Sequence, residues 1–434
     1  MSDNVKTSNF QIIVLVVCVV AFIFAMLSFS GLIKLPGSSD AGTTEISGSI
    51  VVWGTVPRDG FTRIIDDLGL KYKELSLSYV QKDARTYDNE LINAFASQTA
   101  PDIFLMTSDM ILKYQDKVFN IPYVSYPLAT FQQNFVQAGE LFTDKKGVIA
   151  FPILLDPMVM YYNRSILDAA GIPRPPAYWD EVNALTPKIV QKDNAGNVTK
   201  SIVSFGQFSN VNHAKDLVAM LLMQLGNGIV DASGAKPASV LGAGGSGEQA
   251  LSFFTQFSNP VGSSYSWNKA MPNSRDAFVS GDLAFYFGYA SELPVIQEQN
   301  PNLNFNVASV PQIRGYGKAT MAQISAAAIS KTSKNPAAAY TVAQQFTDPA
   351  VNTALAYASG LPPVRRDLIA KKPATPAYAS VFYDSALVAR SWLDPSRTET
   401  NTIFKDLIEN IVSNRFSVNE AVSKASNEIN FLLQ

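Results

Sequence analysis

The chain has 434 residues, of which 47% are apolar and 16% are charged. This length exceeds what one hydrophobic core supports, so at least two globular units are expected, and the apolar content excludes wholesale disorder. Lys and Arg together number 34 against 36 Asp and Glu, and the sequence has no basic block, so nucleic acid is a poor candidate partner.

An uncharged apolar run lies near the N-terminus. Residues 12–33 read IIVLVVCVVAFIFAMLSFSGLI and carry no charged side chain, which is enough to cross a bilayer as a helix. The run is longer than the apolar part of an ordinary signal peptide, so a retained transmembrane anchor is favoured over a cleaved signal segment. Residues 1–11 would then be a short cytoplasmic tail, with the body extracellular or periplasmic.

The region after this run has little hydrophobic pattern. Residues 34–49 are rich in Gly, Ser and Thr, which predicts a flexible linker, with the folded body starting near Ile50. Cys18 is the only cysteine and lies in the apolar run. The body therefore has no disulfide, no cysteine-based zinc cluster and no cysteine nucleophile.

The body alternates short apolar runs with helical patterns, which is typical of a mixed α/β fold. Strands are predicted at 49–54 (SIVVWG), 103–106 (IFLM), 282–290 (DLAFYFGYA) and 324–330 (ISAAAIS). A helix is predicted after Thr86. The C-terminal region predicts two more helices, the last opened by a capping box of Ser417 and Glu420.

The stretch FPILLDPMVMYY places Asp156-Pro157 inside an apolar run. Because proline cannot donate to a sheet ladder, one strand is predicted to end at Leu155 and another to begin at Met158. Asp156 would then face a ligand cleft. The alternative is that its carboxylate only caps backbone N–H groups in a turn.

Ligands of open α/β sheets bind beyond the carboxyl ends of the strands. That rule selects Trp53, Asp109, Asp156 and Tyr289, and Trp267 and Trp392 occupy loop contexts where a ring can stack on a ligand. For each tryptophan, core packing is the competing interpretation. Aromatic faces beside carboxylates suit a sugar, because vicinal hydroxyls donate strong hydrogen bonds to carboxylates.

Catalytic signatures are lacking in the sequence. His213 is the only histidine and is predicted to be a surface residue; there is no HExxH motif, P-loop or dinucleotide fingerprint. No catalytic residue, metal or cofactor is expected. Asp109 and Asp156 remain an alternative pair for glycoside hydrolysis.

Several segments, in order along the chain, resemble one family. They are APDIFLMTSD (100–109), residues 147–182, DAFVSGDLAFYFG (276–288), residues 325–346, GLPPVRRDL (360–368) and the capped last helix. They are similar to the extracellular solute-binding proteins of ABC importers, in the carbohydrate-binding group that is maltose-binding-protein-like. Asp109 and Asp156 match acidic positions of that group, and Tyr289 lies beside an often aromatic one.

The resemblance implies a two-lobed periplasmic-binding-protein-like fold, with a hinge of several crossing strands and the ligand between the lobes. Lobe 1 would comprise 50–155 and about 325–375, and lobe 2 would comprise 156–324 and about 376–434. Met106 and Ala290 stand where the maltose-binding relative has aromatic residues, so its specificity is not implied.

The function implied is a monomeric, non-enzymatic receptor that delivers a carbohydrate, in the first place an oligosaccharide, to ABC permease subunits. Two alternatives stay open. One keeps the fold but binds a peptide, polyamine or other small solute, and the other is an exported glycan-active enzyme that uses Asp109 and Asp156.

Overall fold

The computed structural model describes residues 46–434, and Gly48–Gln434 form one compact unit. The predicted tail, the predicted anchor at 12–33 and residues 34–45 of the predicted linker lie outside the described residues. From residue 46 onward, no helix has the length and apolar character needed to cross a membrane. The predicted linker extends too far, because Gly48 and Ser49 already pair with Leu75 and Ser76 in the sheet.

Strands alternate with helices along most of the chain, as predicted. The strands are β1 (Gly48–Gly54), β2 (Leu75–Gln81), β3 (Ile103–Thr107), β4 (Ile121–Pro122), β5 (Gly147–Val148), β6 (Ala150–Asn163), β7 (Gln191–Lys192), β8 (Val198–Val203), β9 (Val230–Asp231), β10 (Ala238–Ser239), β11 (Leu283–Tyr289), β12 (Phe305–Ala308), β13 (Thr320–Ile329) and β14 (Ala389–Arg390).

The helices include both predicted C-terminal helices and the predicted capping box of Ser417 and Glu420. They are α1 (Arg58–Lys71), α2 (Tyr87–Ala96), α3 (Ile111–Tyr114), α4 (Leu128–Asn134), α5 (Arg164–Ala169), α6 (Trp179–Ile189), α7 (Ala214–Gln224), α8 (Ser246–Thr255), α9 (Ser274–Val279), α10 (Leu293–Gln299), α11 (Pro336–Gln345), α12 (Pro349–Ser359), α13 (Arg366–Ile369), α14 (Ala377–Leu387), α15 (Arg397–Val412) and α16 (Val418–Leu432).

One ten-stranded sheet organises the body, with the order β2-β1-β3-β13-β6-β11-β8-β7, while β12 pairs with β6 and β14 pairs with β13. We call β1, β2 and β3 the first half-sheet, and β7, β8, β11 and β12 the second half-sheet. Strands β6 and β13 connect the two. Parallel pairs join β1 to its neighbours, and antiparallel pairs join β6 to β11, β12 and β13.

The predicted strand break at Asp156-Pro157 is wrong, because β6 runs without interruption from Ala150 to Asn163. The partners of the strand change at that point instead. Residues 150–157 pair with β13, and Met158 is the first residue to pair with β11. Pro157, which has no N–H to donate, therefore lies where β6 changes from pairing with β13 to pairing with β11. A proline at that position costs the sheet little free energy, so the strand can continue through it.

A large aromatic and aliphatic core packs against the second half-sheet. Trp179, Phe205 and Phe287 pack ring against ring at centroid distances of 5.2–5.5 Å. Gln224 lies inside this core with no exposed surface. Its Oε1 accepts the indole N–H of Trp179 at 2.7 Å, and its Nε2 donates to the carbonyls of Pro311 and Ala319. Gln224 thus joins α6 and α7 to the start of crossing strand β13.

We expect Gln224→Leu to lower the free energy of unfolding by about 2–4 kcal/mol, because the similar-sized side chain leaves one buried donor and two acceptors unpaired. Urea unfolding followed by tryptophan fluorescence measures the change. Gln297→Leu, at an exposed position of α10, is the matched control and should leave the midpoint in place. Equal midpoints for the two variants would contradict this account of Gln224.

Candidate functional site

A cavity of about 370 Å³ lies where the two half-sheets meet. The first half-sheet contributes the end of β3, the crossing strand β13 contributes its middle, and the second half contributes β11, α7 and the segment before α15. The lining residues are Thr107, Ser108, Asp109, Phe208, Ser209, Val211, Asn212, His213, Ala214, Lys215, Asp216, Asn273, Tyr289, Met321, Ala322, Gln323, Ile324, Trp392, Asp394, Arg397 and Asn401. Two further cavities, of about 350 and 820 Å³, draw on only one half each.

Three of the predicted site residues line this cavity: Asp109, Tyr289 and Trp392. Asp109 follows β3 and accepts a 2.5 Å hydrogen bond from Thr107 Oγ1. Tyr289 ends β11 and donates to Asp216 Oδ2 at 2.8 Å. Trp392 is 4% exposed, and Lys215 Nζ lies 5.7 Å from its ring centroid. The fold therefore brings together two residues from strand ends and one from a loop that are far apart in the chain.

Asp156 lies beside the cavity, on the same face of the sheet as Gln323. The two residues are register partners on the crossing strands β6 and β13, and partners in a ladder point to one side. Asp156 Oδ1 accepts the backbone N–H of Ser291 at 3.1 Å. Burial raises the pKa of the Asp156 carboxyl to about 6, although the Ser291 bond opposes the change.

Trp53 and Trp267 lie away from the cavity. Lys82 Nζ sits 3.6 Å from the Trp53 ring centroid and covers the face on which a ligand would stack. Trp267 has no exposed surface, and its indole N–H donates to Asn210 Oδ1 at 3.2 Å. Trp267 is therefore a core residue of the second half-sheet, in agreement with the competing core-packing interpretation.

The prediction that His213 is a surface residue is wrong. Its side chain is only 23% exposed, lines the cavity, and bonds through Nε2 to Glu292 Oε1 at 2.8 Å. Burial disfavours the imidazolium, but the Glu292 bond and the charges of Glu292, Asp216 and Asp156 together outweigh it and raise the pKa of His213.

A buried ion pair lies under the Trp392 ring. Lys215 Nζ donates to Asp394 Oδ2 at 2.7 Å and to Thr400 Oγ1 at 3.0 Å, and the two charged side chains are 8% and 7% exposed. Thr400 Oγ1 also bonds Asp394 at 2.8 Å. The pair is locally satisfied, so it holds the segment of Trp392 against α7 and adds little net charge to the cavity.

The cavity therefore combines aromatic faces with carboxylates, amides and hydroxyls. Such a set can bond the hydroxyl edge of a ligand, while Trp392 and Tyr289, at 4% and 2% exposure, present little face for stacking. Within residues 46–434, no group of His, Cys, Asp and Glu side chains is arranged to hold a metal ion. The residues missed by the sequence, chiefly His213, Lys215 and Asp216, lie in one segment, SNVNHAKD, whose polar character resembled an ordinary loop.

A family model of bacterial extracellular solute-binding proteins matches residues 64–380. Solved structures with the same fold include the cyclic α-maltosyl-1,6-maltose binding protein of Arthrobacter globiformis, at 17% identity and a TM-score of 0.73, covering 89% of this chain and 99% of that one. The sugar-binding protein MalE of Xanthomonas citri matches at 17% identity and 0.72, covering 89% and 97%. A solute-binding protein of Thermotoga lettingae bound with α-D-tagatose matches at 20% and 0.65, covering 89% and 100%.

We expect Asp156→Asn to stabilise the ligand-free chain by about 1–2 kcal/mol at pH 7.5, less than the full pKa shift implies because Asp156 is partly exposed. The folded-state pKa is raised from 3.8 to about 6, so the charged carboxylate costs stability as the pH rises through this window. Asparagine keeps the acceptor for Ser291 and removes the charge.

Urea unfolding at pH 4 and pH 7.5 measures this effect, with Asp66→Asn on the exposed side of α1 as the control. The gain should be nearly absent at pH 4, where the wild-type carboxyl is protonated in the folded state. A variant that is less stable at pH 7.5, or equally more stable at both values, would argue against the assigned cost.

Proposed function

We propose that this chain, which belongs to the bacterial extracellular solute-binding proteins, is the receptor of an ABC import system and binds a carbohydrate in the cavity between its half-sheets. The observation that carries the proposal is the composition of that cavity. Asp109 from the first half, Gln323 from a crossing strand, and Tyr289 and Trp392 from the second half line one space. A ligand there touches both halves at once.

The chemistry of the lining supports a hydroxylated ligand. Asp109 and Asp216 offer carboxylate acceptors, which pair strongly with hydroxyl donors. Trp392 and Tyr289 border the same space, although they are only 4% and 2% exposed. The structural relatives also support this class, since their descriptions name tagatose, cyclic maltosyl-maltose and sugar as ligands. An oligosaccharide is the ligand we propose in the first place.

The route of delivery completes the proposal. Bridging of both halves by the ligand would favour a closed arrangement, because a ligand shifts an equilibrium by its differential affinity. Permease subunits would then recognise the closed receptor. The uncharged run at 12–33 would keep the receptor at the membrane with its binding unit outside the cytoplasm.

A cationic small solute is the second candidate, and one observation favours it. Among residues 46–434, Asp109, Asp156 and Asp216 accept hydrogen bonds from Thr107, Ser291 and Tyr289 but are absent from the ion pairs found there. A polyamine would provide the missing positive charges. Its binding should weaken steeply with added salt, whereas binding of a neutral sugar should not.

Thermal unfolding of the full-length chain with a panel of mono- and oligosaccharides tests the proposal. We expect at least one sugar to raise the midpoint with saturable dependence on concentration, because a ligand of the folded state at 100 times its Kd stabilises by about 2.7 kcal/mol. Peptides and polyamines form the comparison arms. A panel in which only polyamines act would replace the carbohydrate by the cationic solute, and turnover of a glycan would favour the enzyme alternative.

For a sugar that binds, we expect Asp109→Asn to weaken affinity by about 10- to 100-fold, since a charged acceptor contributes about 1.5–3 kcal/mol to a hydrogen bond. Isothermal titration calorimetry measures the change. Asp66→Asn makes the same substitution on the surface of α1, outside the cavity, and should bind like the wild type. Equal affinity of both variants would remove Asp109 from the site.

A further inference from the structure

The only histidine of the chain occupies an uncommon backbone conformation at the edge of the cavity. His213 directly precedes α7 with φ of 60° and ψ of 26°, a left-handed region that residues with a side chain rarely adopt. Histidine adopts this region more often than most residues, so it is the contacts of His213 that indicate a role.

Glu292 is the group that holds His213. The Glu292 side chain is 11% exposed and does not line the cavity. Its Oε1 bonds His213 Nε2 and accepts the N–H of Tyr289, both at 2.8 Å, and its Oε2 accepts the hydroxyl of Tyr286 at 2.6 Å. Arg275 lies 3.6 Å away. One buried carboxylate is thus fixed from several directions.

A second set of contacts joins the start of α7 to the turn after β11. Tyr289 at the end of β11 donates to Asp216 on α7, and its ring meets the His213 ring edge-on with centroids 4.8 Å apart. The start of α7 and the turn after β11 are therefore connected through both His213 and Asp216. Glu292 thus bonds His213 and the backbone of Tyr289 directly and is linked to Asp216 through the Tyr289 hydroxyl.

The charges around His213 come from every element packed on it. Carboxylates face it from the turn after β11 (Glu292), from α7 (Asp216) and from β6 (Asp156). The nearby cations are already engaged, since Arg275 lies against Glu292 and Lys215 pairs with Asp394. A proton on His213 therefore supplies the positive charge that keeps these carboxylates close together.

We infer that Glu292 positions the ligand-binding side chains through His213, and that the cavity binds its ligand best while His213 carries a proton. The inference rests on the proposed function, since it concerns the same cavity. A ligand that displaces water from Asp216, which lines the cavity, strengthens the attraction of this carboxylate for the imidazolium. Proton and ligand therefore favour each other's binding, and the coupling is reciprocal.

The titration of His213 tests the positioning role without any ligand. Since the chain has one histidine, an NMR spectrum of the full-length chain, purified without a histidine tag, shows a single imidazole whose midpoint belongs to His213. We expect a midpoint above 6.5 in the wild type. In Glu292→Gln, which keeps the shape and removes the charge, we expect it to fall by about one pH unit, while Glu298→Gln on the exposed side of α10 leaves it in place.

Binding of a sugar identified in the panel tests the coupling. We expect wild-type affinity to fall about three- to tenfold between pH 6 and 8.5, and the ligand to raise the His213 midpoint by the matching half to one pH unit. Glu292→Gln should move the fall to lower pH. His213→Asn, chosen because asparagine tolerates a positive φ, should bind with the weaker affinity at every pH above 6.

Two results would overturn the inference. One is a His213 midpoint that is equal in the wild type and in Glu292→Gln. The other is a flat affinity across the pH range in the wild type. The failure of every sugar to bind is a different result, which overturns the proposed function and leaves the ligand-free titration to decide whether Glu292 controls His213.

Discussion

The two crossing strands, β6 and β13, are the constraint on which the site depends. Their ladder fixes Asp156 opposite Gln323, and β11 is aligned to the same strand through the pairing of Tyr289 with Met158. Strand β3 is aligned to β13 through Thr107 and Ser325. Because successive side chains in a strand point to opposite faces, a shift of one residue in any ladder would turn these polar groups away from the cavity.

This arrangement places buried charged groups, whose removal from water costs free energy, at the junction of the half-sheets. The Lys215–Asp394 pair is almost fully buried, and removing two charges from water costs more than their attraction returns unless other bonds satisfy them. Thr400 provides such bonds here. Asp156 and His213 are held in environments that displace their pKa values from the ordinary range. Displaced pKa values of this kind concentrate at functional sites.

The sequence predicts elements better than it predicts side-chain directions. The strands 103–106 and 324–330, the C-terminal helices and the Ser417 capping box follow from local periodicity and capping chemistry, and the structure has them. Asp109 and Tyr289, which line the cavity, could be selected because the ends of strands can be located from apolar runs, and their role in binding stays a prediction. Whether an indole in a short loop turns inward is set by distant neighbours, as when Trp267 bonds Asn210. Trp267 therefore lies in the core, whereas Trp392, itself only 4% exposed, borders the cavity.

His213 shows the same limit more sharply, because its partner Glu292 lies 79 residues further along the chain. Its positive φ also has no signature in the residues next to it in the sequence. Asp156-Pro157 was read as a strand end because proline breaks ladders, but a change of partner strand at that residue removes the penalty. Local rules consider only the hydrogen bonds that a residue can make with its neighbours in the sequence. They fail where residues distant in the sequence make those bonds.

The carboxylates at the cavity suit both proposed ligand classes, a hydroxylated sugar and a cationic solute. Lys215 is paired with Asp394 and His213 with Glu292, and Arg397 is a further cation in the cavity wall. Asp109 and Asp216 remain as acceptors that already receive one hydroxyl each, from Thr107 and Tyr289. A carboxylate has about four acceptor sites, so each of these two can receive further hydroxyls. A sugar would supply such donors without bringing a charge that must leave water, whereas a cationic solute would gain the attraction of these carboxylates at the cost of its own desolvation.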